Sequence, residues 1–247
     1  MTNRLDGAQR LLLADVLGDS PETVIPVHLL RQGLCHAWIS GNLERPVGAV
    51  VQSTSLMENT WAFGEAEVIW RLLKYATGWW TANVTATLAP SLGAVLERET
   101  KGRAHLYDDV YHTLTRAGSS FRSSEVRRLL IDDEPLMAKY MGMPTWTYSE
   151  GFEPMAAGAV VDGRLVGLAH VSAVTEGLAD IGVSTLEPWR GRGFATAAAS
   201  IVAKVVRDSG RTPVWSAGEG NAASLRVLAK VGFKEVSRRT YVSLADD

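Results

Sequence analysis

Apolar and polar positions change period several times along this chain, and each change marks an element. Near the start, Leu5, Ala8, Leu11, Leu12 and Val16 recur at helical spacing with Asp6, Arg10 and Asp15 between them, which predicts an amphipathic helix. Residues 36–40 and 47–51 read as strands joined by the turn-like run Gly41-Asn42-Leu43-Glu44-Arg45-Pro46. Helical patterns follow at 67–76 and 91–100. Small polar residues from Ala117 to Ser124 then interrupt the regular pattern and predict a division into residues 1–117 and 118–247.

The second half alternates more regularly. Residues 126–130 predict a strand, and Asp132-Asp133-Glu134-Pro135 supplies a helix start leading into 136–141. Segments 156–161 and 164–174 flank Asp162-Gly163, a strong hairpin signal, and a turn at Glu176-Gly177 leads to a third strand, 178–185. Residues 193–209 predict a helix with Phe194, Ala198, Ile201 and Val205 on one face and Gly210 as its C-cap. A short strand at 212–216, a helix at 222–231 and one or two strands over 233–244 complete an α/β order: antiparallel strands, then strand, helix, strand, helix, strand.

Composition narrows the function classes. With 46% apolar residues the 247-residue chain can bury a substantial core. Its 25 basic and 27 acidic residues leave a formal charge of −2, so no global charge favours nucleic acid or an anionic membrane as partner. Any anion site must be local. One cysteine, Cys35, excludes an internal disulfide and a cysteine-cluster metal site, and fits a reducing cytoplasm. No metal is expected, and no apolar run approaches the roughly 20 residues that span a bilayer.

The local anion site is written in Arg190-Gly191-Arg192-Gly193-Phe194-Ala195-Thr196, where glycines open a long helix just after a strand. The first N–H groups of a helix have no partner within it, the helix dipole favours negative charge there, and glycine lets a ligand approach the backbone. Phosphate is the expected ligand. A dinucleotide fold would require Gly-x-Gly-x-x-Gly after a first strand and an acidic residue about 20 positions on, where Arg211 stands; the Gly-Lys-Ser/Thr of a P-loop is absent.

A second block, Asn221-Ala-Ala-Ser224 followed by Val231-Gly232-Phe233, lies one helix and one strand downstream. Together the two blocks resemble the acetyl-CoA-binding core of the GNAT superfamily of N-acyltransferases. The resemblance covers about residues 122–244 and implies a GNAT fold, with a mixed, mostly antiparallel central sheet flanked by helices. It also implies that residues 190–196 hold the CoA pyrophosphate, that the backbones of Val183 and Thr185 contact the pantetheine arm, and that Asn221 and Ser224 support the arm or the phosphates. Residues 1–116 resemble a degenerate half of the same fold more loosely. Their tryptophans, Trp38, Trp61, Trp70, Trp79 and Trp80, are expected mostly in a core.

The resemblance implies transfer of an acetyl group from acetyl-CoA to a small amine, directly and without a covalent enzyme intermediate, since Cys35 lies outside the recognisable core. Many relatives carry a tyrosine that protonates the departing sulfur at the position of Leu228; here the thiol would leave with help from water or a hydroxyl, for which Ser224 and Tyr241 are weak substitutes. Asp180, Glu219 and Glu176 are the candidate bases for the amine, while His170, alternating with apolar neighbours, reads as a core residue. A protein or peptide acetyltransferase and a non-catalytic acyl-CoA-binding protein are the alternatives, and a homodimer is compatible with all three.

Overall fold

A computed structural model describes residues 4–116, 120–142 and 154–244 of the chain. The chain forms two compact units, one of residues 1–111 with 236–247 and the other of 112–235. This differs from the division expected at 117/118, of which residues 117–119 lie outside the described residues. The last strand joins the first unit because its backbone pairs there: Arg239, Tyr241 and Ser243 stand opposite Thr85, Asn83 and Thr81. A break in composition marks a candidate boundary, but it cannot report which distant strand the chain end will pair with.

The first unit opens with α1 (Gly7–Leu17), whose start is fixed by a capping box in which the Asp6 carboxylate accepts from the Gln9 N–H. After α2 (Val24–Gln32) comes an antiparallel meander, β1 (Cys35–Gly41), β2 (Pro46–Ser53) and β3 (Asn59–Gly64). Helix α3 (Ala66–Leu73) then crosses to β4 (Thr81–Thr85), which runs parallel to β3. Helix α4 (Ala89–Thr100) and β5 (Ala104–Thr113) follow. With the final strand, β11 (Lys234–Leu244), the order in this unit is β1-β2-β3-β4-β11-β5.

One core of this unit packs Ile69, Leu72 and Leu92 from α3 and α4 on Trp38, Val50 and Ala62; another packs Leu13, Val27 and Leu30 from α1 and α2 on Ala37, Ala49 and Trp61. Trp38 and Trp61 are buried, whereas Trp80 is 47% exposed and Trp70 and Trp79 are half-buried. Trp70 and Trp79 nevertheless pack against the first of these cores, so the expectation that most of the five rings lie in a core holds for all but Trp80.

The second unit contains β6 (Val126–Leu129), α5 (Glu134–Met141), β7 (Ala156–Val161), β8 (Arg164–Val174), β9 (Leu178–Thr185), α6 (Phe194–Asp208), β10 (Thr212–Gly218) and α7 (Ala222–Val231), with strand order β10-β9-β8-β7-β6. Asp162 and Gly163, both with positive φ, make the predicted two-residue hairpin between β7 and β8. The buried stripe of α6 is Phe194, Ala198, Val202 and Val206 with Ala199 and Ala203, rotated from the expected Ile201 and Val205, which are only partly buried. Helix α6 ends on Ser209, and Gly210 follows at φ 82° with the Gly210 and Arg211 N–H groups donating to Arg207 and Val206, the Schellman pattern. Helices α6 and α7 cover one face of the strands through Ala179, Ile181, Trp215 and Leu228. Helix α5 covers the other face through Met137, Ala156 and Leu168.

Candidate active site

The site begins where two parallel strands part. Strands β9 and β10 pair only over Leu178, Ala179 and Asp180 against Thr212, Pro213 and Val214. Beyond Asp180, β9 stays hydrogen-bonded to β8 on one edge, with Val183 opposite Ala169 and Thr185 opposite Gly167. Its other edge faces a fork that no longer contains β10. Gly182, Val183 and Thr185 on one arm and Ser216 and Gly218 on the other are partly exposed. Such a fork presents backbone N–H and C=O groups to a ligand that lies in it like an added strand.

Helix α6 starts at the end of the β9 arm. Its N-cap, Gly193, has φ 81°, and Gly191 has φ 79°. A Cβ added at either would meet nothing within 4 Å, so the backbone here lies open to an approaching group. The first turn contains no acidic residue, while Phe194 and Thr196 are buried beneath it. Arg192 stacks on the Trp189 ring at 4.5 Å, and the Arg190 Nε donates to the Thr185 carbonyl at 3.2 Å. That contact ties the loop to the end of β9, and the Arg190 side chain is otherwise exposed. An open helix N-terminus flanked by two arginines fits a pyrophosphate.

The first unit provides an internal control, because β3 and β4 part in the same way after the pair Trp61 and Asn83. There the fork is filled. Arg239, 1% exposed, donates through Nη2 to the Ala62 carbonyl at 3.1 Å and the Asn83 carbonyl at 2.8 Å, one on each arm, and through Nε to the Asn83 side chain. The following helix, α3, has Glu65 at its N-cap and Glu67 in its first turn. At Gly64 a Cβ would lie 2.1 Å from the Val47 carbonyl oxygen, so that helix start is packed against backbone. Acidic side chains and close packing oppose a phosphate there.

Residues 131–242 match the family model described as GNAT acetyltransferase. That stretch is similar to a GNAT acetyltransferase domain. The fold extends over the whole chain in solved proteins of low identity. A GCN5-related N-acetyltransferase-like protein from Streptococcus suis 89/1591 superposes with a TM-score of 0.70 at 19% identity, over 96% of this chain and 99% of that one. A putative acetyltransferase of the GNAT family from Novosphingobium aromaticivorans DSM 12444 gives 0.61 at 20% identity, over 92% and 100%. A tandem GNAT protein from the clavulanic acid biosynthesis pathway gives 0.59 at 14% identity, over 100% and 99%. At these identities the likeness is one of fold, and it includes the two-part type. No curated protein matches the chain in sequence.

Within the GNAT-like domain the candidate side chains are dispersed. Asp180 is 7% exposed at the apex of the fork, where its carboxylate accepts from the Ser172 hydroxyl. A bulge in β8 between Val171 and Ala173 places Ser172 there. Glu219 is exposed beyond the end of β10, five strand positions from Val214 and so about 17 Å along the other arm. Glu176 is exposed in the turn outside the paired part of the fork. Of the three carboxylates named from sequence, the structure brings only Asp180 to the apex.

Asn221 caps α7 by accepting from the Ser224 N–H at 3.1 Å, and the Ser224 hydroxyl accepts from the Trp215 Nε1 at 3.1 Å. Asn221 therefore closes the start of α7, and Ser224 fastens that helix to β10 as a fixed structural contact in this arrangement. Leu228 is 2% exposed within the core under α6 and α7, as is Phe233 at 3%. Tyr241 belongs to the first unit and stacks on Tyr107 at 5.0 Å. Cys35 also lies in the first unit, where burial pushes its thiol up to about 11, so it remains protonated at neutral pH. Among the described residues no group of three His, Cys, Asp or Glu side chains could hold a metal, and no helix is long and apolar enough to cross a membrane.

The sequence missed His170 and Tyr140. His170 stands opposite Gly182, just past the apex, and its ring lies over that glycine: an added Cβ would be 3.0 Å from the ring Cε1 and 3.3 Å from Nε2. The Tyr140 hydroxyl, from α5, is 3.1 Å from the Ser184 hydroxyl. Asp180, Gly182 and Ser184 share one face of β9, so His170 and Tyr140 join Asp180 on the α5 side. The signal for His170 was its pairing with a glycine on the next strand, which needs the register to be read.

Proposed function

We propose that the GNAT-like domain transfers an acetyl group from acetyl-CoA directly to the primary amine of a small molecule. The observation that carries this reading is the open fork between β9 and β10, with the glycine-capped start of α6 at its mouth and Asp180 at its apex. Arg190, Gly191, Arg192, Gly193 and the first amides of α6, at Phe194, Ala195 and Thr196, would hold the pyrophosphate. The amides and carbonyls of Val183 and Thr185 would line the pantetheine arm. From Thr185 back to Asp180 the strand rises about 17 Å, a length comparable with an extended pantetheine arm, which brings the thioester to the apex. There the Asp180 carboxylate, oriented by Ser172, attracts the cationic acceptor. The buried, protonated Cys35 supports direct transfer over an acetyl-cysteine relay.

Leu228 favours a second reading, an acyl-CoA-binding protein without turnover, because a buried leucine stands where the resemblance would place an acid. One experiment separates the two. Isothermal titration with acetyl-CoA is followed by thiol-release assays over a panel of small amines, free amino acids and lysine peptides. Binding with release in the presence of a small amine is the expected result. Release with peptides alone would convert the reading to protein acetylation, and binding with no release would favour the non-catalytic protein.

A further inference from the structure

A GNAT-like domain with Leu228 in the place of the sulfur-protonating tyrosine still has to make two proton transfers: one from the amine as it is acylated, and one to the departing thiolate. We infer that His170 carries both, taking the proton from the acceptor amine and returning it to the CoA sulfur at the apex of the β9/β10 fork. The inference rests on the acetyltransferase reading above and deepens it.

Position is the first argument. Asp180 is the last residue of β9 paired to β10, and Gly182 lies two residues on, at the start of the open arm. The imidazole of His170 covers Gly182, within 3.0 to 3.7 Å of where a Cβ would be. Its other cross-strand neighbour is Ala156 on β7, so the ring lies between two of the smallest residues available. A larger residue at 182 would push the ring away from its place over the strand. This explains a glycine within a strand, where it otherwise weakens the sheet.

Surroundings are the second argument. Among the described residues, the titratable groups on this face include Asp180 on β9, one pleat repeat or about 7 Å from Gly182, Tyr140 on α5, whose hydroxyl bonds Ser184, and Arg127 on β6, which is paired with Asp133. Strand β7 contributes Ala156 and β8 contributes Leu168 and Ser172, none of which titrates. Burial lowers the imidazole to about 4, so the ring is neutral at physiological pH and its protonated form gives the proton up readily. A neutral ring accepts a proton only while a stronger acid is beside it, which is the state of an amine nitrogen forming its bond to carbon.

The balance closes with water as the only other participant. The acceptor drawn to Asp180 as an ammonium first releases one proton to water; its lone pair then forms the C–N bond at the thioester carbonyl carbon, and a second proton passes from nitrogen to the basic nitrogen of the imidazole. The C–S bond breaks with its electrons on sulfur, and the imidazolium returns the proton to the thiolate. The ring begins and ends neutral, and the products are the N-acetyl amine, CoA thiol and the proton released to water.

Two measurements on the intact chain test the inference separately from the reading it rests on. In the first, the assigned imidazole resonances of His170 are followed by NMR during titration with acetyl-CoA. They are expected to shift with the same saturation as binding measured by calorimetry. Saturable binding that leaves them unmoved overturns the role of His170 and leaves the acetyl-CoA site intact, whereas absence of binding overturns both.

In the second, His170→Gln is expected to lower kcat about 10²–10⁴-fold while KM for acetyl-CoA changes less than about twofold. His170→Ala should recover part of its rate with added imidazole. Gly182→Ala, which crowds the ring, should lower kcat in the same direction. Wild-type rates in His170→Gln, or a loss in folded His170→Ala that imidazole does not relieve, overturn the inference. A wild-type chain that binds acetyl-CoA and acetylates no amine sinks the transferase reading by itself.

Discussion

At the scale of single residues, burial decides which candidate groups can do chemistry and which only hold the fold. Asp180 is tied to Ser172 at the fork apex, so Asp180→Asn should raise the amine KM at least about 10-fold, the scale of a charged interaction of about 1.5–3 kcal/mol, with acetyl-CoA affinity nearly unchanged. Steady-state kinetics beside calorimetry check this, and an unaltered amine KM would remove Asp180 from the acceptor site. His170 gives a stability prediction. Its folded-state pKa, about 4, lies below the usual 6.5, so between these values the unfolded chain binds a proton that the folded chain does not. Its contribution is complete above pH 6.5 and is lost as pH falls toward 4, by at most about 3 kcal/mol at 1.36 kcal/mol per unit. Urea unfolding at pH 7, 5.5 and 4.5 should show a steeper loss for the wild type than for His170→Gln.

At the scale of elements, the start of α6 is where geometry and charge converge. Gly193 has φ 81° with open space around it, so Gly193→Ala meets no neighbour yet places an L-residue in left-handed backbone, at about 1–2 kcal/mol. Acetyl-CoA affinity should fall through distortion of the first amides of α6. Replacing Arg190 and Arg192 together by Ala should weaken CoA by about 1–3 kcal/mol and weaken dephosphorylated pantetheine much less. Equal losses for the two ligands would place the phosphates elsewhere. The helix and both glycines were legible in sequence because local chemistry dictates them: glycine relieves positive φ, and a helix start leaves its amides unpaired. The rotation of α6 was not. With Ala197, Ala198, Ala199, Val202 and Ala203 adjacent, several stripes are apolar enough, and only packing on β7, β8 and β9 selects one.

At the scale of the whole molecule, the two units repeat one plan, an antiparallel meander followed by a parallel pair that parts, and they differ in what occupies the parting. Arg239 bonds both arms of the first fork, so the chain should bind one acetyl-CoA, as calorimetric stoichiometry will show; two sites would contradict the filled fork. Arg239→Met removes the donors to two buried carbonyls, at about 1–3 kcal/mol each, and should lower the melting temperature by several degrees without changing that stoichiometry. Deleting residues 236–247 should do more, since β4 loses the strand that pairs with it. An unchanged unfolding transition in the deletion would mean that β11 contributes little to the first unit.

The sequence by itself determined the elements whose causes are local: the Asp162-Gly163 hairpin, the glycine-led start of α6, the Asn221 cap of α7 and the alternation of β7 to β9. It also marked the proposed phosphate site, because all of the chemistry that site would use lies within residues 190–196. Tertiary structure alone decided that β11 completes the first unit, that Arg239 fills the first fork, and that His170 stands over Gly182 beside Asp180. Each of these joins residues brought together by strand pairing, 12 positions apart for His170 and Gly182 and 156 for Asn83 and Arg239. A side chain's immediate neighbours in sequence do not record such a partner. The register does, because shifting a strand by one residue turns every side chain to the opposite face.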